Sequence, residues 1–355
     1  MRVSQLHRIL AFFLVFVSLP AAAKPELFQL QRKETLLFLS ELNYFFTKAN
    51  YEAGGGSYVD LLGGAEYSSL LLDLGAQYAF TPRLYLGGEL GIANSESSIN
   101  GIKRTNSTLG EAKAWVQYVA PVKFLRVVPE AVFIYPFNRI ESTADEVLTG
   151  EGAMGIQPGV WLIKAFKRLE IFSYLGGRYQ DEERSGLAIY RIGSQFKFAS
   201  FFAGGSFNGF ESVTDDKGSE ATRLAVTRRV NGGSFKYYSY NPSLMEVDLW
   251  AGMNFSKTSN ARLGLSQTIN GESSAHGMTI HLAYQFQMMG PSAGRPNQPS
   301  YDPKFELENE DYDETLFEAD PAKPAPRRRR PVRPQQQNPD QMLNETMDDL
   351  EKPIQ

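Results

Sequence analysis

Between residues 36 and 286 apolar and polar residues alternate in short segments divided by polar, glycine-rich or proline-containing breaks. In residues 277–286, Met278, Ile280, Leu282, Tyr284 and Phe286 alternate with Thr279, His281, Ala283 and Gln285. Successive side chains of a strand point to opposite faces, so this segment has one apolar and one wet face. Residues 244–255 repeat the pattern, with Met245, Val247, Leu249, Ala251, Met253 and Phe255 against Glu246, Asp248, Trp250, Gly252 and Asn254. Residues 36–46, 70–80, 84–92 and 112–118 do the same. So do 127–137, 150–162, 169–179, 187–198, 201–210, 221–230, 234–240 and 261–267. The pattern predicts an all-β protein of about 14 strands, an even number. Merging its weakest segments would give about 12. Pro129 and Pro158 lie inside strand segments, where neither can donate a ladder hydrogen bond.

The breaks alternate in length. Residues 81–83, 120–123, 231–233 and 256–260 are short; 94–108, 138–149 and 211–220 are longer and polar. Transmembrane barrels have short turns at one end and longer loops at the other. Beyond residue 24 no apolar run approaches the roughly 20 residues of a helical span. The expected fold is therefore a transmembrane antiparallel up-and-down β-barrel over residues 36–286. Cysteine is absent and aromatics are abundant, with Tyr 17 and Phe 24. A closed barrel suits that composition, because pairing every strand removes the need for covalent staples.

The closing segment carries a resemblance. His276, Gly277, Leu282, Tyr284 and Phe286 give a polar residue, a glycine and alternating hydrophobics that end on an aromatic. This resembles the last strand of the outer-membrane β-barrel proteins of Gram-negative bacteria, and the likeness is architectural over about residues 36–286. It implies an outer-membrane location in lipid and a porin-like function. It also implies that Gly277, Leu282, Tyr284 and Phe286 serve as an assembly signal read by the barrel-assembly machinery. In that family the motif usually ends the protein, whereas this chain runs on to Gln355.

Outside the barrel the composition changes. Arg2, His7 and Arg8 precede an apolar stretch over 9–19 and the small residues Ala21, Ala22 and Ala23, the layout of a signal peptide over 1–23. Residues 24–35 form an N-terminal periplasmic lead. Residues 287–355 are rich in proline, acids and arginine and predict a disordered periplasmic tail, because they cannot bury enough apolar surface to fold. Arg327, Arg328, Arg329 and Arg330 are the tail's candidate contact with a periplasmic partner.

The strand phases point charged side chains into the lumen. The expected lining includes Glu41, Asp73, Glu89, Glu111, Glu130, Glu151, Glu170, Glu246 and Asp248, with Lys113, Arg178, Arg191, Lys197, Arg223, Arg229, Arg262 and His281. Charges placed there avoid the roughly 2–4 kcal/mol cost of facing lipid at the midplane. Scattered carboxylates matched by bases do not make an acid–base pair. Ser273, Ser274 and His276 lack the spacing and third partner of a triad. No enzyme activity and no cofactor is implied, and three histidines without cysteine argue against a transition-metal site. A net charge of −4 argues against general nucleic-acid binding. Two functions remain: a passive porin-like channel for small polar solutes, and a structural anchor whose tail or outer loops bind a partner.

Overall fold

The computed structural model describes residues 33–288, apart from Pro121, Lys123, Ala199 and Lys257. The residues read as a signal peptide, all but the last three of those read as a lead, and the expected tail beyond Met288 with Arg327–Arg330 lie outside the described residues.

Twelve long antiparallel strands follow one another around a closed sheet. They are β1 (Leu36–Tyr51), β3 (Glu66–Ala79), β4 (Leu84–Ile99), β5 (Ile102–Tyr118), β6 (Arg126–Pro136), β7 (Gly155–Ala165), β8 (Leu169–Gln180), β9 (Leu187–Lys197), β10 (Phe201–Ser212), β11 (Ser243–Asn254), β12 (Ser259–Glu272) and β13 (Ser274–Met288). The short β2 (Tyr58–Asp60) adds only to the far end of β1, at Ala49–Tyr51. Closure comes from β1 against β13, in register from Leu36↔Met288 to Thr47↔Gly277. Beyond a bulge, pairing resumes at Ala49↔His276. The alternating segment 277–286 is thus the closing strand, which extends two residues past Phe286. No open strand edge is left along the seam, which is what a sheet in hydrocarbon requires.

The alternation sets the faces as expected. Phe38, Tyr44, Leu70, Leu74, Ile280 and Tyr284 stand exposed on the outside, while Asp73, Gln77, Asp248 and His281 are buried within. Exposed aromatics gather at both rims, with Phe80, Tyr118, Phe124 and Phe286 at one and Tyr135, Phe137 and Tyr179 at the other. Such girdles flank the apolar band of a membrane barrel. Prolines leave the marks their missing N–H predicts: the β7–β8 pairing skips from Ile156↔Tyr179 to Gly159↔Gly176, around Pro158.

The barrel has 12 strands, the lower of the two counts that the pattern allows. Residues 221–230 fall within a helix, α1 (Glu220–Val230), and 234–240 are a loop. Helix-terminal chemistry outweighed a weak alternation here. The Ser219 side chain caps the Thr222 amide, Glu220 lies in the first turn, and Arg228 and Arg229 lie in the last. Gly232 and Gly233 follow at positive φ, a backbone that stops a helix readily. The residues read as turn 231–233 are therefore the helix exit. Residues 94–108, expected as a loop, instead continue β4 and β5 into a long hairpin that turns at Asn100-Gly101.

Turns at the end holding Leu36 and Met288 are short, as at 80–83 and 166–168. At the opposite end β6–β7 and β10–β11 are joined by the long segments 137–154 and 213–242.

Candidate functional site

The two long segments meet across the barrel mouth and turn inward. Val147, Phe45, Tyr67 and Ala275 form one apolar cluster with Tyr237; Leu148, Val226 and Val230 form another with Ile140, Tyr237 and Tyr238. Polar ties fix this plug to the wall. Asn50 of β1 bonds Gly233 O at 2.7 Å and the Phe235 amide at 2.9 Å, clamping the loop backbone from both sides. Ser97 of β4 donates to Val230 O at 2.7 Å, Tyr67 donates to Leu148 O at 2.8 Å, and the Leu148 amide donates to Asn231 Oδ1 at 3.0 Å. These bonds satisfy loop carbonyls and amides that would otherwise be buried without water.

Charges lock the plug further. Asp216 accepts from the amides of Ser185 and Asn241 at 2.7 Å each and pairs with Arg223 at 2.9 Å. Arg223 also donates to Ser239 O and lies over the Tyr238 ring. Burial lowers its pKa, and Arg184 nearby lowers it further, against the opposing pull of Asp216. Glu151 pairs with Arg184 at 3.0 Å and accepts from the Tyr238 amide at 3.1 Å.

Below the plug lies a chamber of about 380 Å³, with walls from nine strands and a roof from 149–151 and 235–242. Asp73, Glu111, Lys113, Arg178, Glu151 and Lys236 all face it. Lys236 is held with its ammonium 4.0 Å from the Phe45 ring centroid. Burial pulls its pKa below the ordinary lysine value, opposed by the fields of Glu246 and Glu151.

Deeper in the lumen the wall charges form a chain through the closure seam. Arg191 meets Asp248 at 3.1 Å, and Asp248 meets His281 at 2.8 Å and Ser266 at 3.1 Å. Gly264 lies directly beneath His281, where an added Cβ would come within 2.1 Å of the ring. Arg262 meets Glu41 at 3.2 Å, and Lys113 meets Glu89 at 2.8 Å. Nearest the short turns the lining becomes aromatic. Tyr85 and Val128 cluster with Trp161, which also joins Ile163, Phe172, Phe202 and Trp250. The indoles are oriented by side-chain amides, Trp115 to Gln77 at 2.9 Å and Trp250 to Gln195 at 3.0 Å. Glu130, bonded by Gln117, and the buried pair Glu170–Lys197 at 2.6 Å belong to this end.

Glu151, expected on a strand, lies in a loop just before β7. Arg223 and Arg229 are on α1, so neither is a wall base, and Arg229 bonds the carbonyls of Ser142 and Ala144 in the facing loop. Lys236, Tyr237, Asp216 and Arg184 were not singled out by the sequence, since the alternation of 234–240 reads as a strand and loops that fold back into a lumen carry no local signature of it. The signal that could have found them was the Ser219 cap, the terminal charges and Asn231-Gly232-Gly233. On β13, Gly277 faces inward against Phe45, while Tyr284 and Phe286 face outward. His276 stacks on Tyr58 at 4.1 Å and meets the Tyr51 edge, a packing role at the rim. Among the described residues no group of three His, Cys, Asp or Glu could hold a metal ion.

No protein-family model matches the chain, and no curated protein sequence matches it. Solved structures do. An outer-membrane channel from Pseudomonas putida F1 aligns with a TM-score of 0.54 at 11% identity, covering 74% of this chain and 99% of that one. The NanC porin aligns at 0.43 and 7% identity over 70% and 100% of the two chains. The translocator domain of the autotransporter NalP from Neisseria meningitidis aligns at 0.40 and 11% identity over 80% and 94%. With its closed ring of 12 strands, this chain has the fold of an outer-membrane β-barrel.

Proposed function

We propose that the protein is a porin-like channel of the outer membrane that passes small polar solutes passively, with the loop plug setting how far it opens. The observation that carries this reading is the charge-lined chamber beneath the plug, walled by nine of the twelve barrel strands. A barrel serving only as an anchor has no need of an enclosed polar chamber. At 12 strands the lumen is wider than an eight-stranded one, which side chains just fill. Lining charges of both signs support passage of polar solutes without strong ion selectivity, which would need rings of one sign. Glu41, Asp73, Glu89, Glu111, Lys113, Arg178, Arg191, Glu246, Asp248, Arg262 and His281 are the residues assigned to that lining.

Even strand number and the short turns beside Leu36 and Met288 support a periplasmic position for both barrel ends, and so for the tail. Gly277, Leu282, Tyr284 and Phe286 are assigned to recognition by the assembly machinery, and Arg327–Arg330 to a periplasmic partner. The test of the channel is planar-bilayer recording of the purified full-length protein beside a variant with residues 219–233 replaced by a short Gly-Ser linker. The expected result is discrete ohmic steps that grow in the shortened variant. A folded, inserted variant that stays silent would overturn the reading in favour of an anchor.

A further inference from the structure

The chamber beneath the plug holds charges that its own wall leaves unmatched. Lys113 is neutralised by Glu89 and Glu151 by Arg184. Among the described residues, Lys236, Arg178, Asp73 and Glu111 form no ion pair, although all four line the chamber. Arg178 turns Nε and Nη2 to the neutral Gln157 Oε1. Asp73 accepts a long 3.4 Å bond from Asn43.

The unmatched charges are of both signs and come from different elements. Of the acids, Asp73 on β3 lies at Gly91 of β4, whose missing Cβ would lie 3.0 Å from Asp73 Oδ1, and Glu111 on β5 reaches up to the roof, its Oε1 3.5 Å from where a Cβ on Gly150 would lie. The bases are Arg178 from β8 and Lys236 from the roof. Phe45, Phe210, Phe235 and Tyr237 supply apolar wall between them. The volume, about 380 Å³, falls within the ~300–1,000 Å³ of small-molecule sites. Charges withdrawn from bulk water without partners are costly, so an occupant carrying both signs satisfies this wall better than an ion of either sign.

We propose that the chamber binds a small zwitterionic solute with an apolar side chain, its carboxylate toward Lys236 and Arg178 and its ammonium toward Asp73 and Glu111. The proposal rests on the channel reading, because it names the class of solute that reading leaves open. It is measurable whether or not the barrel conducts.

Isothermal titration of the full-length protein in detergent with L-phenylalanine, N-acetyl-phenylalanine and phenylalaninamide separates the charges, since the three carry both, only the negative and only the positive. The expected order places phenylalanine at least tenfold tighter than either analogue. Lys236→Met should weaken phenylalanine and N-acetyl-phenylalanine at least fivefold while sparing the amide, and Glu111→Gln should do the converse. Folding of each variant is checked by heat-modifiable gel migration, and the wild-type analogue series decides the matter if a variant does not fold. Equal or tighter binding of either analogue, or no binding of phenylalanine at 10 mM, overturns the proposal. Conductance without binding would leave the channel standing and remove the zwitterion site; binding without conductance would do the reverse.

Discussion

The side chains inside this barrel are of two energetic kinds. Glu170 and Lys197 are both buried and hold each other at 2.6 Å near the short-turn end. Removing one member of such a pair strands the other charge, so Glu170→Gln is expected to cost about 3–5 kcal/mol. Urea titration of the variant in lipid vesicles, followed by tryptophan fluorescence, measures it; a loss below about 1 kcal/mol would place the pair among solvated ones. Lys236 is of the other kind, half-buried in the chamber roof and without an ion pair. Its folded pKa is lowered, so above that value the unfolded chain binds more protons and stability rises with pH until the ordinary value near ~10.4. The wild type should therefore gain stability over Lys236→Met on the alkaline side, and lag behind it at neutral pH. Parallel melting curves at a series of pH values test this, and a constant difference would sink it.

A loop that becomes a plug gives the element scale its main lesson. Helix α1 has little apolar face of its own, and its buried Val226 and Val230 seat against Leu148 of the facing loop. Its stability therefore depends on its cap and its ties to the wall rather than on amphipathicity. Ser219→Ala should remove about 1 kcal/mol from the helix. In a barrel held by 12 ladders that local loss should leave heat-modifiable migration unchanged and raise hydrogen exchange in residues 220–233 alone. Exchange spreading into the β1 and β4 amides would instead mean that plug and wall open as one unit.

At the scale of the whole molecule, stability depends on the closed seam and on which face meets lipid. Ile280 lies on β13 opposite Tyr44 of β1 and Leu265 of β12, outward and exposed. Ile280→Lys is expected to destabilise the barrel by about 2–4 kcal/mol if this level is near the midplane, and by far less near either rim. The same lysine at Thr279, on the lumen face, should be tolerated. Equal costs at the two positions, measured by refolding into vesicles, would contradict the assigned faces.

The sequence by itself determined the class of fold, the inside and outside of nearly every strand, and the closing strand. Each of these follows from a local period-two rule that neighbours along the chain satisfy independently. It also pointed Asp248, Trp250 and His281 inward, because phase alone decides that. Their assembly into one bonded chain was beyond its reach, since Arg191, Asp248 and His281 meet through the stagger of alternate strands β9, β11 and β13. The tertiary structure alone decided the plug and the chamber. The alternation within 213–242 pointed to strands that do not form, and the partners of this segment, Asn50, Ser97 and Leu148, lie far off in sequence. The loop backbone is satisfied only once the barrel has closed around it, so no window of sequence contains that information.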